Sequence, residues 1–360
     1  MTTLRTIGIE TSCDESAVAV VGGDGRVEAN FLSSQVAAHA QYGGVVPELA
    51  SREHLKALPF LVERVLRECA APPELIAVTV GPGLVGALLV GVRFAASLAW
   101  GRGIPLVGVD HLEGHLVSPF LSLDGRPARA EPGRTLALVA SGGHSAWYLM
   151  EQGSRKRLGR TRDDAAGESF DKVAQVLGLA YPGGPAIDRL ARAGDPTRVE
   201  LPRPRVKDSP HDFSFSGLKS AAIRRVKELG LDGVGAGTAA TRSAVADVAA
   251  SFEAAVVDLL MAPLPQLAAE HQPNLVTASG GVAANTLLRR YLEAWGRDND
   301  VEVILPEVAL TTDNGAMIAH AGQLAYRQGR RTDPRRLDAR GREAWQPPGM
   351  RRMSGASRLQ

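Results

Sequence analysis

The sequence predicts an α/β protein made of two duplicated halves that face each other across a central cleft, with a helical insertion in the second half. Three observations support this fold class. Strand-like apolar runs come in groups of three, and each group is followed by helix, strand, helix, strand and helix. This order occurs twice along the chain. The 360 residues also suit two domains of ordinary size.

The first half, residues 1–125, begins with three predicted strands in a meander, at residues 4–9, 17–21 and 27–31. The turn at residues 22–25, Gly-Gly-Asp-Gly, is typical of a hairpin. An amphipathic helix is predicted at about residues 47–68, with Pro47 well placed near its start. A strand, a helix, a strand and a helix follow, at residues 75–80, about 84–100, 105–109 and from His111 onward.

The second half, residues 134–330, repeats this plan after a Pro- and Gly-rich boundary at residues 123–133. Strands are predicted at residues 135–140, 145–150 and, more weakly, 156–161, and the helical insertion covers about residues 164–234. A helix, a strand, a helix, a strand and a helix follow, at about residues 241–268, 275–278, 282–294, 301–305 and from near Asp313. The Arg-rich tail at residues 331–360 is expected to be flexible.

The duplicated plan resembles the superfamily of actin, hexokinase and Hsp70, called the ASKHA fold. In open α/β sheets, ligands bind at the carboxyl ends of the strands, so we expect the site in the cleft between the halves. This is a resemblance of fold, which does not by itself fix a function.

Composition and cysteine content indicate the cellular compartment in which the protein works. The formal net charge of +2 excludes neither nucleic acid nor acidic partners. The two cysteines, Cys13 and Cys69, allow no disulfide framework and fit a reducing cytosol. The N-terminus lacks a secretory pattern, and the longest apolar stretch, residues 84–100, is interrupted by two glycines and Arg93. We therefore expect a cytoplasmic protein with no membrane contact.

Gly-rich loops occupy matched points of the two halves, at residues 8–16, 140–145 and 279–285. Glycines without Cβ let backbone N–H groups approach a phosphate closely. The third loop joins a strand to a helix, whose N-terminus can also face an anion. Asp14 and Glu15 in the first loop could ligate a cation or orient a phosphate, or they could simply cap the hairpin. Each loop alone is compatible with an ordinary turn.

Two histidines predict a metal site. His111 and His115 are four residues apart, which puts both imidazoles on one face of a helix, a spacing that suits two ligands of one cation. Asp313 follows the last strand of the second half, so a pseudo-two-fold axis brings it to the cleft opposite the histidines. Two His and one carboxylate with open positions suit Fe(II) and accept Zn²⁺. We expect one divalent metal per subunit, Fe(II) first and Zn second.

Motifs distributed in order over residues 4–328 resemble the TsaD family. They lie at residues 8–16, 43–52, 81–86, 111–115, 141–144, 170–172, 181–185, 212–219, 280–285 and 312–317. Many relatives have Val-Ser-Gly-Gly-His-Thr where this chain has Ala140 to Ser145, and beyond Arg330 the resemblance fades.

The resemblance implies a tRNA N6-adenosine threonylcarbamoyltransferase. The group would come from threonylcarbamoyl-AMP and go to N6 of adenosine 37 in tRNAs that read codons starting with A, forming t6A and releasing AMP. His111, His115 and Asp313 would be metal ligands. The residues that the resemblance assigns to the donor are Val139, Ala140, Ser141, Gly142, Gly143, Asp171, Gly184, Asp188 and Asn285. The implied partners are tRNA, the TsaB and TsaE proteins, and a TsaC-type enzyme that supplies the donor.

The residues do not identify a general base, and Asp14, Glu15 and Asp171 are equal candidates. Two alternative functions stay open at this point. One is an ASKHA-type ATPase subunit of a tRNA-modification complex. The other is a metalloprotease, which the His pair suggests but the position of Glu113 disfavours, because it follows His111 by two residues instead of one.

Overall fold

The computed structural model describes residues 4–235, 237, 238 and 241–341. It contains two five-stranded sheets, with the strand orders β3-β2-β1-β4-β5 and β10-β9-β6-β7-β8. In each sheet the first three strands of the half pair antiparallel, and the last two run parallel to the first. The two halves therefore share one topology, which confirms the predicted duplication.

The strands follow the predicted order closely. Those of the first sheet are β1 (Thr6–Glu10), β2 (Glu15–Val21), β3 (Val27–Ser34), β4 (Leu75–Gly81) and β5 (Leu106–Asp110). Those of the second sheet are β6 (Thr135–Ala140), β7 (Ser145–Glu151), β8 (Ser154–Arg160), β9 (Leu275–Ser279) and β10 (Glu302–Ile304). Every residue of β1, β4, β6 and β9 is buried, as expected for central strands covered on both faces.

The helices that precede the insertion are α1 (Val36–His39), α2 (Pro47–Glu68), α3 (Val85–Arg102) and α4 (His111–Val117). The predicted insertion contains α5 (Ala166–Val176), α6 (Gly183–Ala191) and α7 (Ser216–Glu228). The rest are α8 (Arg242–Met261), α9 (Leu264–His271), α10 (Thr286–Asn299) and α11 (Gly315–Arg327).

Two predicted helices need correction. The helix expected at residues 241–268 is two helices, α8 and α9, because Pro263 between them has no N–H to continue the first. The helix expected from residue 282 begins later. A single 3₁₀ turn, Gly281–Ala284, comes first, and Asn285 has the non-helical angles φ −59° and ψ 127° before α10 starts.

The first sheet is covered by helices from both halves of the chain. On one face, α2 and α3 pack against Ile7 and Ile9 of β1. On the other face, Met317 and Ile318 of α11 pack against β4 and β5. The apolar face of α11, which follows the last strand of the second half, is therefore buried on the first sheet, and the division into residues 1–125 and 134–330 stays a prediction.

Helix α4 makes the reciprocal crossing. Leu112 and Leu116 pack against Ala137 and Val139 of the second sheet, although α4 follows the last strand of the first. The two crossing helices meet at Gly114, where a Cβ atom would lie 2.8 Å from Cδ1 of Ile318. Each half therefore contributes one helix to the sheet of the other half.

The beginning of the Arg-rich tail is packed. Thr332 bridges Leu106 on the edge of the first sheet, and the backbone N–H of Arg340 donates to the carbonyl of Val80 at 2.7 Å. Leu337 is buried in the first core. The expected flexibility is thus wrong for residues 331–341, because backbone pairing and an apolar anchor hold them, and residues 342–360 lie outside the described part of the chain.

Helix α3 is long and apolar enough to cross a membrane by length and composition, with a mean hydropathy of 1.2 over 18 residues. One of its faces, which includes Val92, Ala95 and Ala99, is buried in the first core beside α2.

The close approach of α11 to β1 predicts that one methyl group added at Gly8 lowers the stability of the fold. A Cβ atom at Gly8 would lie 2.2 Å from the carbonyl oxygen of Gly315 and 2.4 Å from the backbone nitrogen of Ala319. Since backbone atoms cannot give way cheaply, we expect Gly8→Ala to lower the free energy of unfolding by about 1–3 kcal/mol. Urea unfolding followed by circular dichroism measures it.

The matched control is Gly101→Ala in α3, where a Cβ atom meets nothing within 4 Å. Alanine favours a helix by about 0.5–1 kcal/mol over glycine, so this variant should be as stable as the wild type or slightly more stable. Equal stabilities of Gly8→Ala and Gly101→Ala would contradict the packing of α11 on the first sheet.

Candidate metal centre and cleft

The two histidines are positioned by a short capped helix. The carboxylate of Asp110, the last residue of β5, accepts a hydrogen bond from the backbone N–H of Leu112 at 2.9 Å and so caps α4. The helix then presents His111 and His115 on one face, with ring centroids 4.7 Å apart. Both imidazoles are buried, with exposures of 5% and 0%.

Asp313 reaches the same point from the second half. It precedes α11, which Asn314 caps by accepting from the backbone N–H of Met317 at 2.9 Å. Its Oδ1 lies 3.2 Å from Nε2 of His115 and 3.5 Å from Nε2 of His111. The three side chains each offer one ligand atom, and these atoms lie within 4.8 Å of one another.

This geometry fits a bound cation. Ligands about 2.1 Å from a common ion are separated by roughly 3–3.5 Å. Neither ring nitrogen of His115 has a hydrogen-bond partner among the described residues, although both are buried. Its Nε2 thus lies near Oδ1 of Asp313 without forming a hydrogen bond. This is expected when both atoms point at a common cation. A buried polar atom without a partner is costly, and a metal would satisfy it.

Charge is concentrated in this buried group. Burial opposes protonation of His111, but the carboxylates of Asp313 and Glu10 outweigh it and raise the pKa of His111 to about 9. Burial also opposes ionisation of Asp313, yet His111 and His115 outweigh it and hold the pKa of that carboxyl well below its usual range. A metal ion must displace the His111 proton, so metal affinity should fall as the pH is lowered.

Sequence reasoning missed two residues near the triad. Glu10, at the end of β1, lies 3.0 Å from Nδ1 of His111 through its Oε2. The only sequence signal was a carboxylate ending an apolar strand. His144 lies in the second Gly-rich loop, where burial and then the charges of His111 and His115 lower its pKa to about 4. His144 is therefore neutral beside the triad at physiological pH.

The carboxylate of Glu113 is paired with two arginines. It accepts a hydrogen bond from Arg330 at 2.7 Å and lies 3.6 Å from Arg155. The base that a metalloprotease needs beside the metal is therefore not supplied by Glu113.

The three candidate bases lie within electrostatic reach of one another. Burial, then the charges of Asp313 and Asp14, raise the pKa of Glu15 to about 8. Burial, with a contribution from Asp14, also raises the pKa of Asp171, whose carboxylate accepts from the backbone N–H of Gly183 at 2.7 Å. Asp14 belongs to the first half and Asp171 to the insertion, so the charge of one half acts on a carboxyl of the other part of the chain.

The predicted donor loops are open where a ligand would need space. A Cβ atom at Gly142, Gly143 or Gly184 would meet nothing within 4 Å. At Gly281 it would meet only Cγ2 of Thr312, at 3.9 Å, beside Asp313 of the candidate metal site. Gly280 differs, because its φ is +88° and a Cβ would lie 2.3 Å from the carbonyl oxygen of Ala140.

Three other predicted residues precede or begin the second loop. Val139 and Ala140 end β6 and are fully buried, so they can offer a ligand only backbone groups. Ser141 accepts a hydrogen bond from the backbone N–H of His144 at 3.2 Å through its hydroxyl, which closes the loop.

The structure brings Asp188 and Asn285 together through α10. Asp188 accepts from both the backbone N–H and the hydroxyl of Thr286, at 2.8 and 2.7 Å. Asn285 caps α10 with its oxygen and donates its amide to Oε1 of Glu253 at 2.6 Å. Burial, together with the charge of Asp188, raises the pKa of Glu253 to about 7. Sequence reasoning missed Glu253, which is buried in the apolar helix α8.

With this geometry, comparison with known proteins becomes decisive. A family model described as "TsaD: tRNA N6-adenosine threonylcarbamoyltransferase" matches residues 26–320. The chain belongs to the TsaD family. The tRNA N6-adenosine threonylcarbamoyltransferase of Bacillus cereus is 46% identical over 330 residues, which cover 90% of this chain and 92% of that one. The enzyme of Geobacillus kaustophilus is 45% identical over 335 residues, covering 91% and 93%.

Solved structures support the ASKHA fold. Full-length HypF in the phosphate- and nucleotide-bound form superposes with a TM-score of 0.58 at 14% identity, over 90% of this chain and 55% of HypF. HypF of T. kodakarensis gives a TM-score of 0.55, over 91% of this chain and 48% of that protein. The chain therefore spans about half the length of HypF, and the likeness concerns the fold.

The TsaD-family membership fixes the reaction class. The chain is a transferase that forms t6A in tRNA, as the similar enzymes of Bacillus cereus and Geobacillus kaustophilus are named. The predicted family, fold class and enzyme class are confirmed.

The triad predicts metal loss on truncation of any of its members. We expect His111→Ala, His115→Ala and Asp313→Ala each to lose stoichiometric metal and t6A formation while remaining folded, because two ligands cannot hold the ion. Elemental analysis of purified proteins measures the metal, and thermal melting checks the fold. Full metal content in all three variants would rule out the triad.

Proposed function

We propose that this transferase takes the threonylcarbamoyl group from threonylcarbamoyl-AMP. The acceptor is N6 of adenosine 37 in tRNAs that read codons starting with A, and AMP leaves. The observation that carries this proposal is the open position of Gly281, where a Cβ atom would meet only Cγ2 of Thr312, next to Asp313 of the triad. Backbone N–H groups at such glycines are suited to hold the phosphate of an adenylate.

We further propose that the triad holds Fe(II), with Zn²⁺ as the alternative, because two imidazoles and one carboxylate with open positions suit both ions. When bound there, the ion would supply Lewis-acid polarisation to the threonylcarbamoyl end of the donor. The orphaned nitrogens of His115 support this assignment.

The chain's own residues position the reactants and accept a proton. The donor is a mixed anhydride with a good leaving group, so positioning and charge stabilisation are the main requirements. N6 forms a bond to the carbamoyl carbon, the bond from that carbon to the phosphate oxygen breaks, and a proton leaves N6. Burial and the charges of Asp313 and Asp14 raise the pKa of Glu15 to about 8, so its carboxyl is mostly protonated at pH 7 and only the ionised fraction can accept that proton. Asp14 and Asp171 are the other candidates.

Substitutions at two adjacent glycines of the third loop, Gly280 and Gly281, distinguish an effect on ligand binding from an effect on folding. We expect Gly281→Val to fold normally, because its side chain enters open space, but to lose donor binding and t6A formation. Gly280→Ala should instead melt at a lower temperature, because its positive φ and the carbonyl of Ala140 oppose a side chain. Calorimetric titration with a non-hydrolysable adenylate analogue and a thermal melt measure both effects.

The reaction itself is tested with wild-type protein, TsaB, TsaE, synthetic threonylcarbamoyl-AMP and a tRNA transcript reading a codon that starts with A, with t6A detected by mass spectrometry. Absence of t6A while the protein and its partners are folded would refute the proposed donor. If Gly281→Val melts far lower yet binds the analogue with unchanged affinity, the loop is purely structural.

We also propose that TsaB and TsaE assist this chain in the cytoplasm and that a TsaC-type enzyme supplies the donor. Large apolar side chains are exposed on α2 and α3, on the first half and away from the insertion. Phe60 is 73% exposed, Trp100 68% and Leu55 63%. Such a cluster is suited to a protein partner, and a TsaB subunit is the one that we propose.

Charges within this cluster should block the partner. We expect the double variant Phe60→Glu, Trp100→Glu to keep its melting temperature but to lose co-elution with TsaB on size-exclusion chromatography. The matched control is Leu229→Glu, on the second half, where the side chain is 47% exposed. Loss of TsaB binding in the control, or full binding by the double variant, would count against this surface.

A further inference from the structure

Glu10 is a fully buried carboxylate, and both of its oxygens face hydrogen-bond donors. Its Oε2 accepts the hydroxyl of Thr79 at 2.6 Å and lies 3.0 Å from Nδ1 of His111, and its Oε1 accepts the backbone N–H of Ser12. The carboxyl is held at the ends of neighbouring parallel strands, β1 and β4. A buried carboxylate satisfied in this way is rigid, because moving it would break several charge-assisted bonds at once.

The two nitrogens of His111 face different groups. Nδ1 faces Glu10, whereas Nε2 lies 3.5 Å from Oδ1 of Asp313, inside the triad. A carboxylate can only accept, so the Nδ1 atom must carry a proton. In the singly protonated ring that binds metal, Nε2 then presents its lone pair to the triad. Glu10 therefore selects both the tautomer and the orientation of His111.

The other imidazole has no such support. Nδ1 of His115 has no hydrogen-bond partner within the described ranges. His111 is thus the ligand through which the protein fixes the site. Glu10 itself has no exposed surface and lies behind the imidazole, so it contacts neither the threonylcarbamoyl donor nor the tRNA adenosine.

We propose that Glu10 is a positioning residue for the metal centre, which fixes the ring of His111 and is itself held by Thr79 and by the backbone of Ser12. This inference rests on the proposed metal-binding role of the triad. Carboxylate partners of metal-bound histidines typically account for about 10–100-fold in metal affinity.

The test is a titration of the full-length, metal-stripped protein with Co²⁺, followed by visible absorption, with circular dichroism as the check of folding. We expect Glu10→Ala to weaken Co²⁺ binding by about 10–100-fold. Glu10→Gln should lose less, because its amide oxygen can still accept from Nδ1. Thr79→Val, which removes one bond to Oε2 but leaves the carboxylate, should also show a smaller loss and keeps the test usable if Glu10→Ala does not fold.

The matched control is Glu113→Gln, the same change of charge two residues after His111 on α4, where the carboxylate pairs with Arg330 and Arg155. Its Co²⁺ affinity should equal that of the wild type. A second readout is nitrogen NMR of the Zn²⁺-loaded protein with labelled histidine. The wild type should show an Nδ1–H proton of His111 protected from solvent exchange, and Glu10→Ala should lose that protection.

A Co²⁺ affinity equal to that of the wild type in Glu10→Gln and Thr79→Val, or a protected Nδ1–H proton that persists in folded Glu10→Ala, would overturn the inference, even if the variants melt at lower temperature. A wild-type protein that binds no Co²⁺ would overturn the proposed metal site together with this inference. Wild-type protein that binds Co²⁺ but forms no t6A from the synthetic donor would refute the proposed donor alone, and a graded loss from Glu to Gln to Ala would still support the role of Glu10.

Discussion

The exchange of α4 and α11 between the two sheets is the constraint on which the site depends. Each helix buries its apolar face on the sheet of the other half, and the two touch where Gly114 meets Ile318. His111 and His115 of the candidate metal centre start one crossing helix, and Asp313 precedes the other. The triad is therefore assembled by the same packing that joins the halves, and damage to the crossing would damage the site.

Burying this much charge requires that each group have a partner. Glu10, His111 and Asp313 form a line in which the imidazole separates two carboxylates. Removing one member of a buried charged network leaves the others uncompensated, which typically costs about 3–5 kcal/mol. The same arrangement gives each nitrogen of His111 a distinct role. Truncating Glu10 would therefore remove both its charge and its hold on the ring of His111, and the two effects could not be separated. Conservative variants that keep shape and vary charge are needed.

The repeated order of elements and the meeting of His111 with Asp313 could be predicted from the sequence, because periodicity and topology are local or repeated signals. Glu10 and Glu253 could not, since their partners are distant in sequence and a carboxylate in an apolar run has no distinctive pattern. Apolar periodicity also shows which face of α11 is buried but not which sheet it meets. The packed residues 331–341 were missed for the same reason, since Leu337 is a single apolar anchor among arginines.

The distribution of charge also favours one orientation of the donor that we propose, threonylcarbamoyl-AMP. The first half brings Asp14 and Glu15 to the cleft, and their mutual repulsion contributes to the raised pKa of Glu15. An adenylate phosphate would be repelled there, whereas the loops around Gly142 and Gly281 offer open backbone and no carboxylate of their own. The phosphate is thus best placed against the second half. The threonyl carboxylate at the other end of the donor needs a cation, and the triad is the group in the cleft suited to hold one. The carbamoyl carbon would then lie between the two, within reach of a base on the first half.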